Sequence, residues 1–204
     1  MESVMATVTG WFAVLLAIAT LPQPASAADI KVLTAGAMRG VLVELLPQFE
    51  KDTGHRVSLD NATAGTLAKR IEGGEAFDVA IITPKVIDSL TEKGKIVPGS
   101  RVDLAKVGIG VAVKEGAALP DIATVEALKR ALLAAKSVAY IDPKAGGSSG
   151  IYFDGLLDRL GIGDQIRPNA KLKQGGYVAD LVASGEAELA VHQRVSAWRL
   201  WPEP

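Results

Sequence analysis

Cysteine is absent from all 204 residues. The chain therefore has no disulfide framework, no thiolate nucleophile and no Cys-ligated zinc or iron–sulfur centre. Histidine occurs only twice, so a metal site would have to rest on carboxylates. Aromatic residues make up 5% of the chain, and none are interleaved with basic residues in the way that single-strand binding requires. The balance of 22 Lys+Arg against 23 Asp+Glu leaves no broad basic field, which excludes nucleic acid as a partner. No apolar run approaches the roughly 20 residues of a membrane-spanning helix. The H-E-x-x-H, G-x-x-x-x-G-K-[ST] and G-x-G-x-x-G signatures are also missing.

Lys and Arg are absent from residues 1–30, where the apolar run WFAVLLAIAT (Trp11 to Thr20) precedes Pro22, Pro24 and the small-residue string Ala25-Ser26-Ala27-Ala28. A short apolar run followed by A-x-A predicts a secretory signal peptide over residues 1–27, cleaved after Ala27, and hence a periplasmic protein. The segment before the run, MESVMATVTG, carries Glu2 and lacks the usual positive charge. Cleavage leaves 204 − 27 = 177 residues with 22 basic and 22 acidic side chains.

Short apolar runs alternate with amphipathic stretches through the remainder, which predicts strand–helix–strand units, an α/β class and mainly parallel sheets. Ile30 to Thr34 reads as a strand. A helix follows, with Val41, Leu42, Leu45, Leu46 and Phe49 on one face, a kink at Pro47 and a stop at Gly54. Val57 to Leu59 with a helix over Thr66 to Ile71, and Val79 to Ile82 with a helix over Lys85 to Lys93, complete a first lobe assigned to residues 28–105. The glycine-punctuated segment Arg101 to Gly116 has no helical period and reads as a crossover or hinge. Residues 106–193 form that crossover and a second lobe: helix Thr124 to Ala135, strand Ser137 to Ile141, helices Ile151 to Leu160 and Tyr177 to Ser184, and strand Leu189 to Val191. A cleft between two such lobes is the natural ligand site.

Three small-residue loops lead from predicted strands into helices: Ala35-Gly36-Ala37-Met38, Asn61-Ala62-Thr63-Ala64-Gly65-Thr66, and Ala145-Gly146-Gly147-Ser148-Ser149-Gly150. Small side chains let a ligand approach the backbone. A helix start offers unpaired N–H groups with partial positive charge, so these loops suit an anion. Arg39, in the first turn of the first helix, has the fork geometry for a carboxylate. Ser148, Ser149, Thr63 and Thr66 add hydroxyls, and Gln174 and Gln193 add amides where the second lobe meets the cleft. Tyr152, Phe153 and Tyr177 read as core or cleft wall. His55 reads as a solvated turn residue, and His192 as a capping or surface residue at a strand end. Glu72, Glu75 and Asp78 read as solvated or strand-start polar groups.

The ordered run of VLTAGAMRGVLVELLPQFEKDTGHRV, NATAGTLAKRIEGGEAFDVAIIT, TVEALKRALLAAKSVAYIDPKAGGSSGIYF and LVASGEAELAVHQ resembles type II periplasmic substrate-binding proteins of ABC importers, in the molybdate-binding-like group. The resemblance covers about residues 29–193. It implies two α/β lobes joined by crossovers, hinge closure on a solute, and a membrane permease as partner for a single copy of the chain. Taken with the reading of the three loops, it gives a candidate ligand set at Ala37, Met38, Arg39, Thr63, Ala64, Gly65, Thr66, Gly147, Ser148, Ser149, Gln174 and Gln193, with no cofactor, no metal and no catalytic residue expected. In molybdate-binding members the first two loops each contribute a serine. Here Ala37 and Ala64 stand at those positions, which leaves the ligand open between a molybdate-like oxyanion and a small organic anion.

Two other readings stay open at this stage. Gly146-Gly147-Ser148-Ser149-Gly150 fits G-x-S-x-G, and Asp164 or Asp180 followed by His192 gives the Ser, Asp, His order of a secreted serine hydrolase. Against it, Asp142-Pro143-Lys144-Ala145 separates the strand from the serine. After Gln193 the resemblance stops, and residues 194–204 form a divergent tail with Trp198 and Trp201. Family members continue further, so the expectation is a first lobe lacking its C-terminal elements and a binding-protein relative whose function is impaired.

Overall fold

The computed structural model describes residues 27–194. The predicted leader, apart from Ala27, and the tail beyond Arg194 lie outside the described residues.

The first lobe alternates strand and helix: β1 (Asp29–Ala35), α1 (Gly36–Thr53), β2 (Arg56–Ala62), α2 (Ala64–Glu72), β3 (Val79–Ile81) and α3 (Pro84–Glu92). The strands pair in parallel in the order β2-β1-β3, with Val32 opposite both Leu59 and Val79. Right-handed crossing of the intervening helices is what such a parallel order demands. Leu33, Leu67, Ile71 and Leu90 make the core of this lobe, where β1 meets α2 and α3.

The strongest ionic cluster lies on α2. Arg70 pairs with Asp60 and with Glu75 (2.5 Å), and Lys31 reaches Glu75 at 2.8 Å. Arg70 and Lys31 together hold the Glu75 carboxyl down to about 2. Asp78 accepts the Lys31 backbone N–H at 2.7 Å, so Glu75 and Asp78 are structural ties on the strand.

α1 ends where glycine was expected to end it: Gly54 caps the helix at φ 74°, a left-handed conformation available to glycine without a Cβ penalty. Pro47 does not divide the helix, which runs through it as one element. The apolar stripe of α1 is poorly covered, with Leu45 and Phe49 exposed and only Ala37 buried. His55 is not simply solvated; its Nδ1 accepts the Ala28 N–H at 3.0 Å.

The second lobe contains β4 (Ile109–Ala112), α4 (Val125–Ala134), β5 (Val138–Ile141), α5 (Ser148–Leu160), α6 (Gly163–Ile166), β6 (Lys171–Lys173), α7 (Ala179–Ala183) and β7 (Leu189–Gln193). Its sheet order is β4-β7-β5-β6, with β4 antiparallel to β7 and the other pairs parallel. The expected crossover segment thus contributes one short strand, β4, to the second sheet. Tyr140, Phe153, Leu132, Leu157 and Ile162 fill the core, and the Tyr140 and Phe153 rings meet edge to face at 5.0 Å. Burial pushes the Tyr140 hydroxyl up to about 12. No helix among the described residues is long and apolar enough to cross a membrane.

Candidate functional site

β1, β2 and β5 each end at the same cleft and pass their chain into the start of a helix. α1 begins after Ala35, α2 after Thr63 and α5 after Gly147. Neither Ala35 nor Gly147 supplies a side-chain cap, so the first N–H groups of α1 and α5 are left without the usual intramolecular acceptor. None of the three helices carries an acidic residue in its first turn, where a carboxylate would normally offset the dipole.

The cleft encloses a cavity of about 420 Å³ lined from both lobes. From the first lobe come Gly36, Arg39, Asn61, Thr63, Ala64 and Thr66. From the second come Gly147, Ser148, Ser149, Gln174, Tyr177, His192 and Gln193. Among the described residues no carboxylate lines the cavity, and Arg39, which forms no ion pair there, is the charged side chain in its wall.

Nine of the twelve expected residues therefore meet at the cavity: Arg39, Thr63, Ala64, Thr66, Gly147, Ser148, Ser149, Gln174 and Gln193. Ala37, Met38 and Gly65 do not line it. Gly36 and Arg39 share a helix face at i, i+3, and the intervening residues turn away, Ala37 into the core at 7% exposure. Gly65 instead touches the other lobe. Its N–H donates to Gly146 O at 2.9 Å, and a Cβ placed on Gly65 would lie 2.7 Å from Gly146 Cα.

The hydroxyls divide into two groups. Thr63 Oγ1 donates to Ala145 O across the lobes at 2.6 Å and accepts the Thr66 N–H at 3.2 Å. With its one proton spent, Thr63 can only accept from Thr66 Oγ1, 2.8 Å away. Both threonine hydroxyls thus serve the lobe contact and the helix cap. Ser148 Oγ accepts from Gln193 Nε2 at 2.8 Å, which leaves its own proton to donate. Ser149 is 3% exposed and its hydroxyl has no hydrogen bond among the described residues.

His192 and Asn61 were missed as wall residues. His192 is buried, and that burial, with the nearby Lys173 charge, pushes its imidazole down to about 4, so it is uncharged at neutral pH. Its strand-end position read as exposed because nothing local reveals that the start of α5 covers β7.

Among the described residues His192 forms no hydrogen bond to Ser148, Asp164 or Asp180, so the hydrolase geometry is not formed; Ser148 bonds to Gln193, and Asp180 pairs with Lys173 at 2.6 Å. The glycines of the GGSSG stretch have another cause. A Cβ on Gly147 would lie 2.3 Å from Ile141 Cγ2 and one on Gly150 1.9 Å from Ile141 O, so α5 packs directly on the end of β5. Among the described residues no three His, Asp or Glu side chains group as a metal site.

This arrangement, two α/β lobes meeting at a carboxylate-free cleft of helix starts, is that of a solute-binding protein. Residues 30–204 match the family of bacterial extracellular solute-binding proteins, and the chain belongs to that family. It is 33% identical over 189 residues to an aconitate isomerase from a Pseudomonas species, covering 89% of this chain and 70% of the relative. It is 28% identical over 182 residues to the molybdate-binding protein ModA of Azotobacter vinelandii, covering 86% and 69% respectively. The solved periplasmic molybdate-binding protein of A. vinelandii superposes with a TM-score of 0.69 at 25% identity, over 80% of this chain and 71% of that one. A tungstate ABC transporter protein from Geobacter sulfurreducens shares the fold, with a TM-score of 0.67 at 19% identity over 85% and 75% of the two chains. The architecture is the two-lobed type II periplasmic-binding-protein fold of the molybdate-binding-like group.

Proposed function

We propose that the chain is the solute-binding component of an ABC importer, exported by its 1–27 leader. In this role a single copy binds a small anion in the cleft and presents it unaltered to a membrane permease. One observation carries this reading: the starts of α1, α2 and α5 converge on a cavity whose wall has no carboxylate and contains Arg39. Backbone N–H groups of α1 and α5 and the hydroxyls of Ser148 and Ser149 are the donors. A thermal-shift screen of the purified chain against molybdate, tungstate, sulfate, phosphate and small carboxylates tests it. A melting midpoint that rises with anion concentration is expected, and a response to neutral solutes alone overturns it.

A second reading, isomerisation of an unsaturated organic acid, follows from the aconitate isomerase relative. It is favoured by His192, a buried imidazole that stands with Arg39 in the wall of the cleft. Incubation with aconitate in deuterated water, followed by NMR, separates the two: conversion with deuterium uptake supports the isomerase, and unchanged aconitate supports binding alone.

A further inference from the structure

We propose that residues 195–201 dock on the uncovered apolar face of α1, with Trp198 and Trp201 as the anchors, and that this contact supports the helix whose start lines the cleft.

The composition of α1 calls for a cover. Leu42, Leu45, Leu46 and Phe49 stand at i, i+3, i+4 and i+7, which makes one stripe along the helix. Leu45 is 60% exposed and Phe49 40%, and of the 18 residues of α1 only Ala37 is buried. The shorter helices α2 and α3 each bury two large side chains, Leu67 and Ile71 in one and Ile87 and Leu90 in the other. A helix in water draws most of its stability from the packing of its apolar face. Pro47 adds to the demand, because it removes a hydrogen bond from the interior of α1 and crowds the preceding turn.

The segment beyond Arg194 is placed to supply that cover. β7 ends at Gln193, which lines the same cavity as Gly36 and Arg39 of α1, so the chain leaves the second lobe beside the start of this helix. The Arg194 N–H donates to Gly108 O at 2.9 Å and fixes the point of departure. Leu45 lies about 14 Å along α1 from Gly36. The seven residues from Val195 to Trp201 extend over about 23–25 Å, enough to pass the cavity mouth and reach the stripe.

The chemistry of the segment matches. Val195, Trp198, Leu200 and Trp201 are four large apolar side chains in seven residues, with Arg199 among them. Glu44, next to Leu45, is exposed and forms no ion pair among the described residues, and Arg199 supplies the complementary charge. The family match runs through residue 204 and so includes the segment. A second copy of the chain seated on the stripe would leave both tryptophans in water.

Fluorescence of the full chain carrying W11F tests the proposal, since Trp198 and Trp201 are then its tryptophans. Emission to the blue of the urea-unfolded chain, with protection from acrylamide, is expected. L45E is expected to move the emission toward that of the unfolded chain and to lower the melting midpoint by about 4 °C. On an uncovered face, where Leu45 meets water, the same substitution changes neither. The chain has no cysteine, so Q48C accepts a single nitroxide label. That label, beside the stripe, is expected to quench the tryptophans strongly, and a label at K171C, on β6 of the second lobe, only weakly. Emission like that of the unfolded chain, an unchanged spectrum in L45E, or equal quenching from the two labels overturns the proposal. Quenching from Q48C that grows with protein concentration, alongside a dimer in analytical ultracentrifugation, also overturns it and assigns the stripe to a second copy.

Discussion

Replacing Gly65 with alanine adds one methyl group at the point where the two lobes touch. Gly65 is helical and has no left-handed φ, so alanine fits its backbone, and helix propensity alone would favour the change. The added Cβ would stand 2.7 Å from Gly146 Cα and 3.3 Å from Gly146 O. Carbon atoms rest at roughly 3.5–4.0 Å, so the lobes must part by about 1 Å at this point. That displacement breaks the Gly65 N–Gly146 O bond at 2.9 Å and the Thr63 Oγ1–Ala145 O bond at 2.6 Å. At about 1 kcal/mol each, the arrangement seen here loses about 2 kcal/mol relative to a more open one. If a solute is held between the lobes, its affinity drops by about thirtyfold. The assay is calorimetric titration of G65A against whichever anion raises the wild-type melting midpoint, with the unliganded midpoint as the control for folding. An unchanged affinity would refute the claim that the lobe contact belongs to the bound state. G146A is a poorer test, because Gly146 has φ 73° and would be strained as well as crowded.

Further expectations concern stability. The His192 imidazole lies near 4 in the folded chain against 6.5 when free, so the unfolded state binds the proton more readily; stability is complete above about pH 6.5 and falls as pH drops toward 4. The loss is about 3 kcal/mol, and urea denaturation of H192Q should show a flatter pH profile than wild type over that interval. G150A should destabilise by at least about 1–3 kcal/mol, because its Cβ would lie 1.9 Å from Ile141 O with no flexible side chain to yield; an unchanged midpoint would contradict the packing of α5 on β5. Leu132→Ala, in the core of the second lobe, should cost about 2–5 kcal/mol in chemical denaturation without altering which anions bind.

The alternation of apolar and amphipathic stretches was enough to locate β1, β2, β3, β5 and β7, because each holds a short apolar run bounded by polar or turn residues. Gly54 and Gly161 marked helix ends correctly, each in the left-handed conformation. β6 was not legible: Lys-Leu-Lys is three residues long, and its lysines suit an edge strand in a way no apolar pattern announces. The start of α5 was placed three residues late, since Ser148-Ser149-Gly150 reads as loop until the close packing on Ile141 is seen. At the site, the three loops were evident from composition, but which residue of each loop faces the ligand was not. Helical rotation sends Gly36 and Arg39 to the cleft and Ala37 to the core, and the lobe contact takes Gly65, Thr63 and Thr66. His192 depends on the packing of two distant segments, which leaves no local signal.

The most direct test of an anion held at the helix starts is a ¹H–¹⁵N NMR titration of the full chain with the anion that most raises its melting midpoint. Saturable shifts concentrated at the amides of Gly36, Ala37, Ser148 and Ser149, with the Arg39 side-chain signal moving in step, are the predicted result. Shifts that spare these groups and collect elsewhere, for example along the depression between α4 and α7 lined by Lys114, Arg130 and Glu188, would contradict the account.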